Sequence, residues 1–193
     1  MPEAVVECAL VRHGESTGNL GERVLGHEMT PALTALGHTQ ARAAASILAG
    51  WGGEALWSSD MVRARQTAAE IAVSCGLPVV TTSRLREQDH GRLDGLSRGQ
   101  LATEPTPPGL DISEVGWGGG ESVADVYRRL RAFCGLLAAR PARRVIVVSH
   151  GDVLCAMASM LCGRGHRHVD WDARLSHGEV RFLRWRLGQT LPL

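Results

Sequence analysis

Two histidines in this chain each follow an apolar run and precede a glycine: His13 in Val11-Arg12-His13-Gly14 and His150 in Val148-Ser149-His150-Gly151. Buried strands that end in this way, if parallel neighbours, hold two imidazoles side by side over the crevice at the carboxyl edge of a sheet, where open α/β folds bind ligands. Arg63 supplies the next clue. It falls in the first turn of an expected helix, where the positive end of the helix dipole disfavours a cation, so an anion is needed nearby. Arg12 and Arg63 can fork around a phosphoryl group, whose charge and oxygen geometry suit guanidinium. His13 beside them is then the nucleophile: a neutral imidazole attacks phosphorus in line, and water later hydrolyses the phosphohistidine. His150, as imidazolium, donates to the equatorial oxygens. The departing alkoxide needs a proton, and Glu87, in the stretch 85–95, is the candidate acid, because a carboxyl under a lid is desolvated enough to stay protonated near neutral pH. Asp89 lies two residues away as an alternative, and His90 is placed to line the substrate mouth.

The elements that must position these groups alternate along the chain. A strand over 5–11 is followed by a Gly-, Thr- and Pro-rich loop over 16–33, and Thr34 caps a helix over 35–48 that keeps Leu36, Ala44, Ile47 and Leu48 for the sheet. A short strand over 55–58 leads to a helix over 61–74 capped by Ser59 or Asp60, and then to an extended segment over 78–81. The rhythm breaks over 83–120, where prolines and glycines leave at most one short helix near 98–103; a loop of this length reads as a lid. Helical periodicity returns over 121–140 and is closed by Pro141. A strand over 145–148, a helix over 152–161 and a final strand over 179–187 at a sheet edge complete the series. This is one α/β domain over 1–193, with a lid or insert at about 84–120.

Composition narrows the partners. Lys and Arg total 21 against 20 Asp and Glu, a net charge of +1 with no basic block, so neither nucleic acid nor an anionic membrane is expected. The five cysteines are widely spaced, without a CxxC pair, and read as free thiols of a reducing compartment. Neither a signal peptide nor a membrane-length apolar run is seen, so the cytoplasm is the expected location. His27, His38 and His177 read as surface or loop residues, and His166, His168, Asp170 and Asp172 as one polar strand face rather than a metal site. The edge strand offers a surface for a homodimer.

The chain resembles the histidine phosphatase superfamily, the group that contains cofactor-dependent phosphoglycerate mutase and many small phosphatases. The resemblance rests on five boxes in order over nearly the full length: Arg12 to Glu15 with Asn19; Ser58-Ser59-Asp60, Arg63-Ala64 and Gln66-Thr67-Ala68; Leu85, Glu87, Gly91, Asp94 and Gly95; Gly119 to Ser122; and Ser149 to Gly151. It implies a three-layer α/β/α sandwich on a mostly parallel sheet. It also implies a phosphorylated His13, a phosphate pocket of Arg12, Asn19, Arg63, His150 and Gly151, and Glu87 as proton donor, with no metal or other cofactor. The chain departs from the family pattern in carrying Met29 where the first loop usually has aspartate, and Gln88-Asp89-His90-Gly91 where mutases have Arg-x-Tyr-Gly. From Gly95 to Gly120 its only basic residue is Arg98, against Glu104, Asp111 and Glu114. That balance favours a hydrolase acting on a small phosphorylated metabolite and releasing inorganic phosphate. A phosphoglycerate mutase-type transferase is the alternative, ahead of a non-catalytic phosphate-binding regulator.

Overall fold

The computed structural model describes residues 5–21, 23–102 and 104–193. Five strands form one sheet in the order β3-β2-β4-β1-β5, where β1 is Val5–Arg12, β2 Ala55–Ser59, β3 Val79–Thr82, β4 Arg144–Ser149 and β5 Val180–Arg186. All neighbours are parallel except β5, which runs antiparallel to β1 at the sheet edge. Alternation sorts each strand between two faces. Cys8, Leu10, Val145 and Val147 join one core cluster with α3 (Val123–Ala138) and α4 (Gly151–Leu161). Ala9, Val11, Ile146 and Val148 join another with α1 (Ala35–Ala49) and α2 (Val62–Cys75). The result is the expected three-layer α/β/α sandwich.

Local chemistry explains most boundaries. The Thr34 side chain accepts from the Gly37 amide at the start of α1, and Ser122 and Asp125 form a reciprocal capping box at the start of α3. Two local expectations fail. Leu36 and Ile47 of α1 are exposed, and the buried face is instead Gly37, Ala41, Ala44, Ala45 and Leu48. The reason is close packing against α2, which presents Ala64 and Ala68 and leaves room only for small residues. Neither Ser59 nor Asp60 is the N-cap of α2. Met61 holds that position, Ser59 Oγ accepts from the Met61 amide at 3.3 Å, and Asp60 is forked by Arg86 at 2.8 and 2.6 Å.

The stretch 83–120 is a chain of short 3-10 turns, and the helix expected over 98–103 is one such turn at Arg98–Gln100; Thr103 lies outside the described residues. Glu121 ties this insert to α3. Its carboxylate is forked by Arg129 at 2.8 and 3.0 Å and accepts from the Asp89 amide, while its carbonyl accepts from Gln88 Nε2. The run 166–172 likewise falls in two 3-10 turns, His166–His168 and Trp171–Ala173, and is not a strand; its residues are engaged by the insert and by the end of α4 rather than by a neighbouring strand. His166 meets Ser113 Oγ at 2.9 Å, and Asp170 pairs with Arg164 at 2.9 Å.

Candidate active site

The carboxyl ends of β1, β2 and β4 lie together, and each delivers one part of the site. Arg12 stands opposite Ser149 in the register, and the ladder continues one step further as the His13 amide donates to the Ser149 carbonyl at 3.0 Å. The two imidazoles that follow lie with ring centroids 5.0 Å apart, and both are buried. The turn after His13 is possible only because two glycines meet. A Cβ on Gly14 would stand 2.3 Å from the Gly37 carbonyl oxygen, and one on Gly37 would stand 2.0 Å from that of Glu15. Thr67 Oγ1 accepts from the Gly14 amide, and Gln40 Oε1 accepts from that of Glu15.

The hydrogen bond of His13 sets its tautomer. Nδ1 lies 2.7 Å from the Gly14 carbonyl, which can only accept, so Nδ1 carries the proton and Nε2 the lone pair. Burial first, and then the charge of Arg63, hold this imidazole well below its ordinary pKa and therefore neutral. His150 is lowered by the same causes, burial first, and then by the proximity of His13 and Arg63. Its Nε2 sits 2.9 Å from Ser59 Oγ, and its Nδ1 is buried without a partner. Ser59 thus acts through His150 as well as through the Met61 amide.

Both arginines reach the site from buried stems. Arg12 Nη1 donates to the Leu175 carbonyl at 2.8 Å, and its guanidinium lies over Gly151, where a Cβ would come within 3.4 Å of it. Arg63, 1% exposed, donates to the carbonyls of Glu28 at 2.6 Å and Gly26 at 3.4 Å, which pins the first loop over the strand ends. The Nε of each arginine is buried and unpartnered. These are donors kept dry and without an acceptor, an arrangement suited to an anion.

Arg12, His13, Asn19, Arg63 and Glu87 line one cavity of about 630 Å³. Asn19 accepts from both the amide and the hydroxyl of Ser16 through Oδ1, which fixes its side chain. His150 and Gly151 are buried and are not among the residues that line the cavity. Glu87 accepts from the Gln88 amide at 3.0 Å and, more distantly, from the Asp152 amide at 3.5 Å. Burial, and then the neighbouring Asp152 carboxylate, push its pKa up to about 7, so a proton is retained near neutrality. Asp89 does not share this position, because its carboxylate accepts from the Gly91 amide and faces His27. His90 and Trp117 do line the cavity.

The residue reading missed four contributors. His177 lies in a loop, as expected, but half-buried rather than at the surface: its ring lies 5.5 Å from that of His13, and burial, then the charge of Arg12, lowers its pKa to about 4. Arg23, Asp152 and Arg174 line the cavity, with Arg174 paired to Asp152. A cation count confined to the insert overlooks Arg23 and Arg174, which enter from the first loop and from the segment before β5. No local pattern marks them, although the Gln66-Thr67 box does mark the side chains that hold the loops, through the bonds from the Leu33 and Gly14 amides.

A sheet that ends in two apposed histidines, with buried guanidinium groups on one cavity, defines a phosphoryl-binding α/β protein. The chain belongs to the histidine phosphatase superfamily (branch 1), whose family model matches residues 8–191. It is 36% identical over 164 residues to a probable phosphoglycerate mutase of Yersinia enterocolitica, spanning 82% of this chain and 76% of that one. It is 31% identical to glucosyl-3-phosphoglycerate phosphatase of Mycobacterium tuberculosis, spanning 92% and 91% of the two chains. The crystal structure of a putative alpha-ribazole-5'-P phosphatase from Escherichia coli superimposes with a TM-score of 0.82 at 25% identity, over 97% of this chain and 95% of that one.

Proposed function

We propose that the protein is a metal-independent phosphomonoester hydrolase working through phospho-His13. The observation that carries this reading is the Nδ1–H bond from His13 to the Gly14 carbonyl, which leaves an Nε2 lone pair on a neutral, buried ring beside two guanidinium groups whose Nε atoms are buried without a partner. In the first step a bond forms from His13 Nε2 to phosphorus as the bond to the leaving oxygen breaks, and Glu87 gives that oxygen its proton. In the second, the Glu87 carboxylate takes a proton from water, the water oxygen attacks phosphorus, and the phosphohistidine bond breaks to release orthophosphate. Arg12, Arg63 and Asn19 hold the phosphoryl oxygens. His150 is neutral while the site is empty and becomes imidazolium when a dianion arrives. Its Nδ1–H then donates to the phosphoryl group while Nε2–H is held by Ser59. The positive charge needed at phosphorus is supplied by side chains, so no metal enters the scheme.

The relatives include phosphatases and a probable mutase, and hydrolysis is favoured here because Arg174 is already paired with Asp152 and does not stand free to grip a second anionic group. The partner is then a small phosphorylated metabolite, with a homodimer, if one forms, built on the β5 edge. Cytoplasmic location is part of the proposal; among the described residues no helix is long and apolar enough to cross a membrane. The test is orthophosphate release from a panel of phosphomonoesters with and without a chelator. We expect chelator-resistant release that falls at least about a thousandfold in His13→Ala, with an acid-labile, alkali-stable phosphoenzyme trapped only in the wild type. Undiminished hydrolysis by His13→Ala, or loss of activity on chelation, would refute the scheme.

A further inference from the structure

We infer that the leaving group of the substrate is a bulky alcohol with an apolar or aromatic face, held against a wall of Leu25, Leu93, Leu101 and Trp117. The inference rests on the hydrolase reading and extends it to the class of substrate. The cavity is far larger than its chemistry needs: a phosphoryl group of roughly 90 Å³, taking each of three oxygens at the ~30 Å³ of a water molecule, occupies only the inner end of a 630 Å³ space. The remaining lining divides into two kinds of surface. Its charged groups are two arginines, Arg23 and Arg174, and two carboxylates, Glu104 and Asp152; Arg174 is tied to Asp152, and Glu104 lies 3.9 Å from Arg92.

The apolar wall is built rather than incidental. The first loop and the insert pair as short strands do, with the Val24 amide donating to the Leu96 carbonyl, the Gly95 amide donating to the Val24 carbonyl, and Arg23 opposite Ser97. This pairing sets Leu25 on one side of the cavity. Leu93 packs over Gly118, where a Cβ would stand 2.7 Å from Leu93 Cγ and 2.3 Å from the His90 carbonyl oxygen, next in the chain to Trp117, which also lines the cavity. Leu101 is 39% exposed at the mouth, an apolar side chain left to water in the empty site. A ring or other apolar face covers these side chains, and a short polyanion does not.

Ethyl phosphate and 2-phenylethyl phosphate test the idea, because their alkoxide leaving groups are closely matched and only the ring differs. Burying that ring predicts a kcat/KM advantage of about thirty- to a hundredfold for the phenylethyl ester. The same preference is expected in the affinities of the corresponding non-hydrolysable phosphonates, measured by calorimetry. In Leu101→Ser, a change at an exposed position, and in Trp117→Ala, both ratios fall towards one. A ratio near one in the wild type, or preferred turnover of 3-phosphoglycerate, overturns the proposed substrate class while hydrolysis stands. Failure of every ester to release orthophosphate, with the phosphonate preference retained, overturns the hydrolase reading and leaves the wall as a binding subsite.

Discussion

Glu87 sits between opposing influences: burial and the Asp152 carboxylate raise its pKa to about 7, while Arg63 and two amide donors lower it. In the proposed scheme the acid form delivers the proton, so hydrolysis of an alkyl phosphate should decline as pH rises through about 7. Glu87→Gln should cost on the order of a hundredfold or more with that leaving group and far less with an aryl phosphate, whose oxygen departs without a proton. Asp152→Asn removes the neighbouring negative charge and lowers the Glu87 pKa, so the descending limb of the pH profile should move to lower pH; an unmoved limb would show that Asp152 does not tune the acid. The residues at element ends were legible in the sequence because each sits at a break in an apolar pattern, as His13, Arg63 and His150 do. His177 was not, because its neighbours Ser176 and Gly178 carry no periodicity. It reaches His13 only because the segment before β5 returns beside β1, with the Gly178 amide donating to the Arg12 carbonyl.

Between elements, the contact that positions the nucleophile is the crossing of the His13 turn over the first turn of α1. Gly37→Ala would drive a Cβ to 2.0 Å from the Glu15 carbonyl oxygen, where neither side is a movable side chain. We expect a loss of about 2–3 kcal/mol, or roughly 5–10 °C in Tm, together with reduced kcat. Gly50→Ala, at the end of the same helix with φ −92° and nothing within 4 Å, is the control and should leave both nearly unchanged. The order and kind of the elements followed from hydrophobic alternation and caps. The inward face of α1 did not, because apolar periodicity selected Leu36 and Ile47, whereas the crossing at Gly37 and the small residues of α2 fix the helix by what fits. The wall formed by the first loop and the insert was equally hidden, since backbone pairing between two irregular segments leaves no pattern in either.

At the scale of the whole molecule, the carboxyl proposed as the catalytic acid weakens the fold. With a folded pKa near 7 against an ordinary value of 4.5, Glu87 makes the native state bind the extra proton between those values. Stability therefore falls as pH rises through that window. Glu87→Gln escapes this cost: its Tm should match that of the wild type near pH 4.5 and exceed it at pH 8 by up to several degrees, for up to about 3 kcal/mol. Thermal melts at the two pH values decide it, and an equal gap at both would assign the difference to packing instead. The distance between the imidazoles has a different origin. Their 5.0 Å separation is close to the ~4.8 Å spacing of adjacent strands, because each histidine continues one of two neighbouring parallel strands. The sheet is thus a caliper that reproduces this gap wherever the strands pair, while the wall proposed to read the substrate is carried by two loops bonded to each other and to α2 and α3. Descendants of such a chain can exchange one substrate for another by rewriting those loops, and inherit the chemistry unaltered.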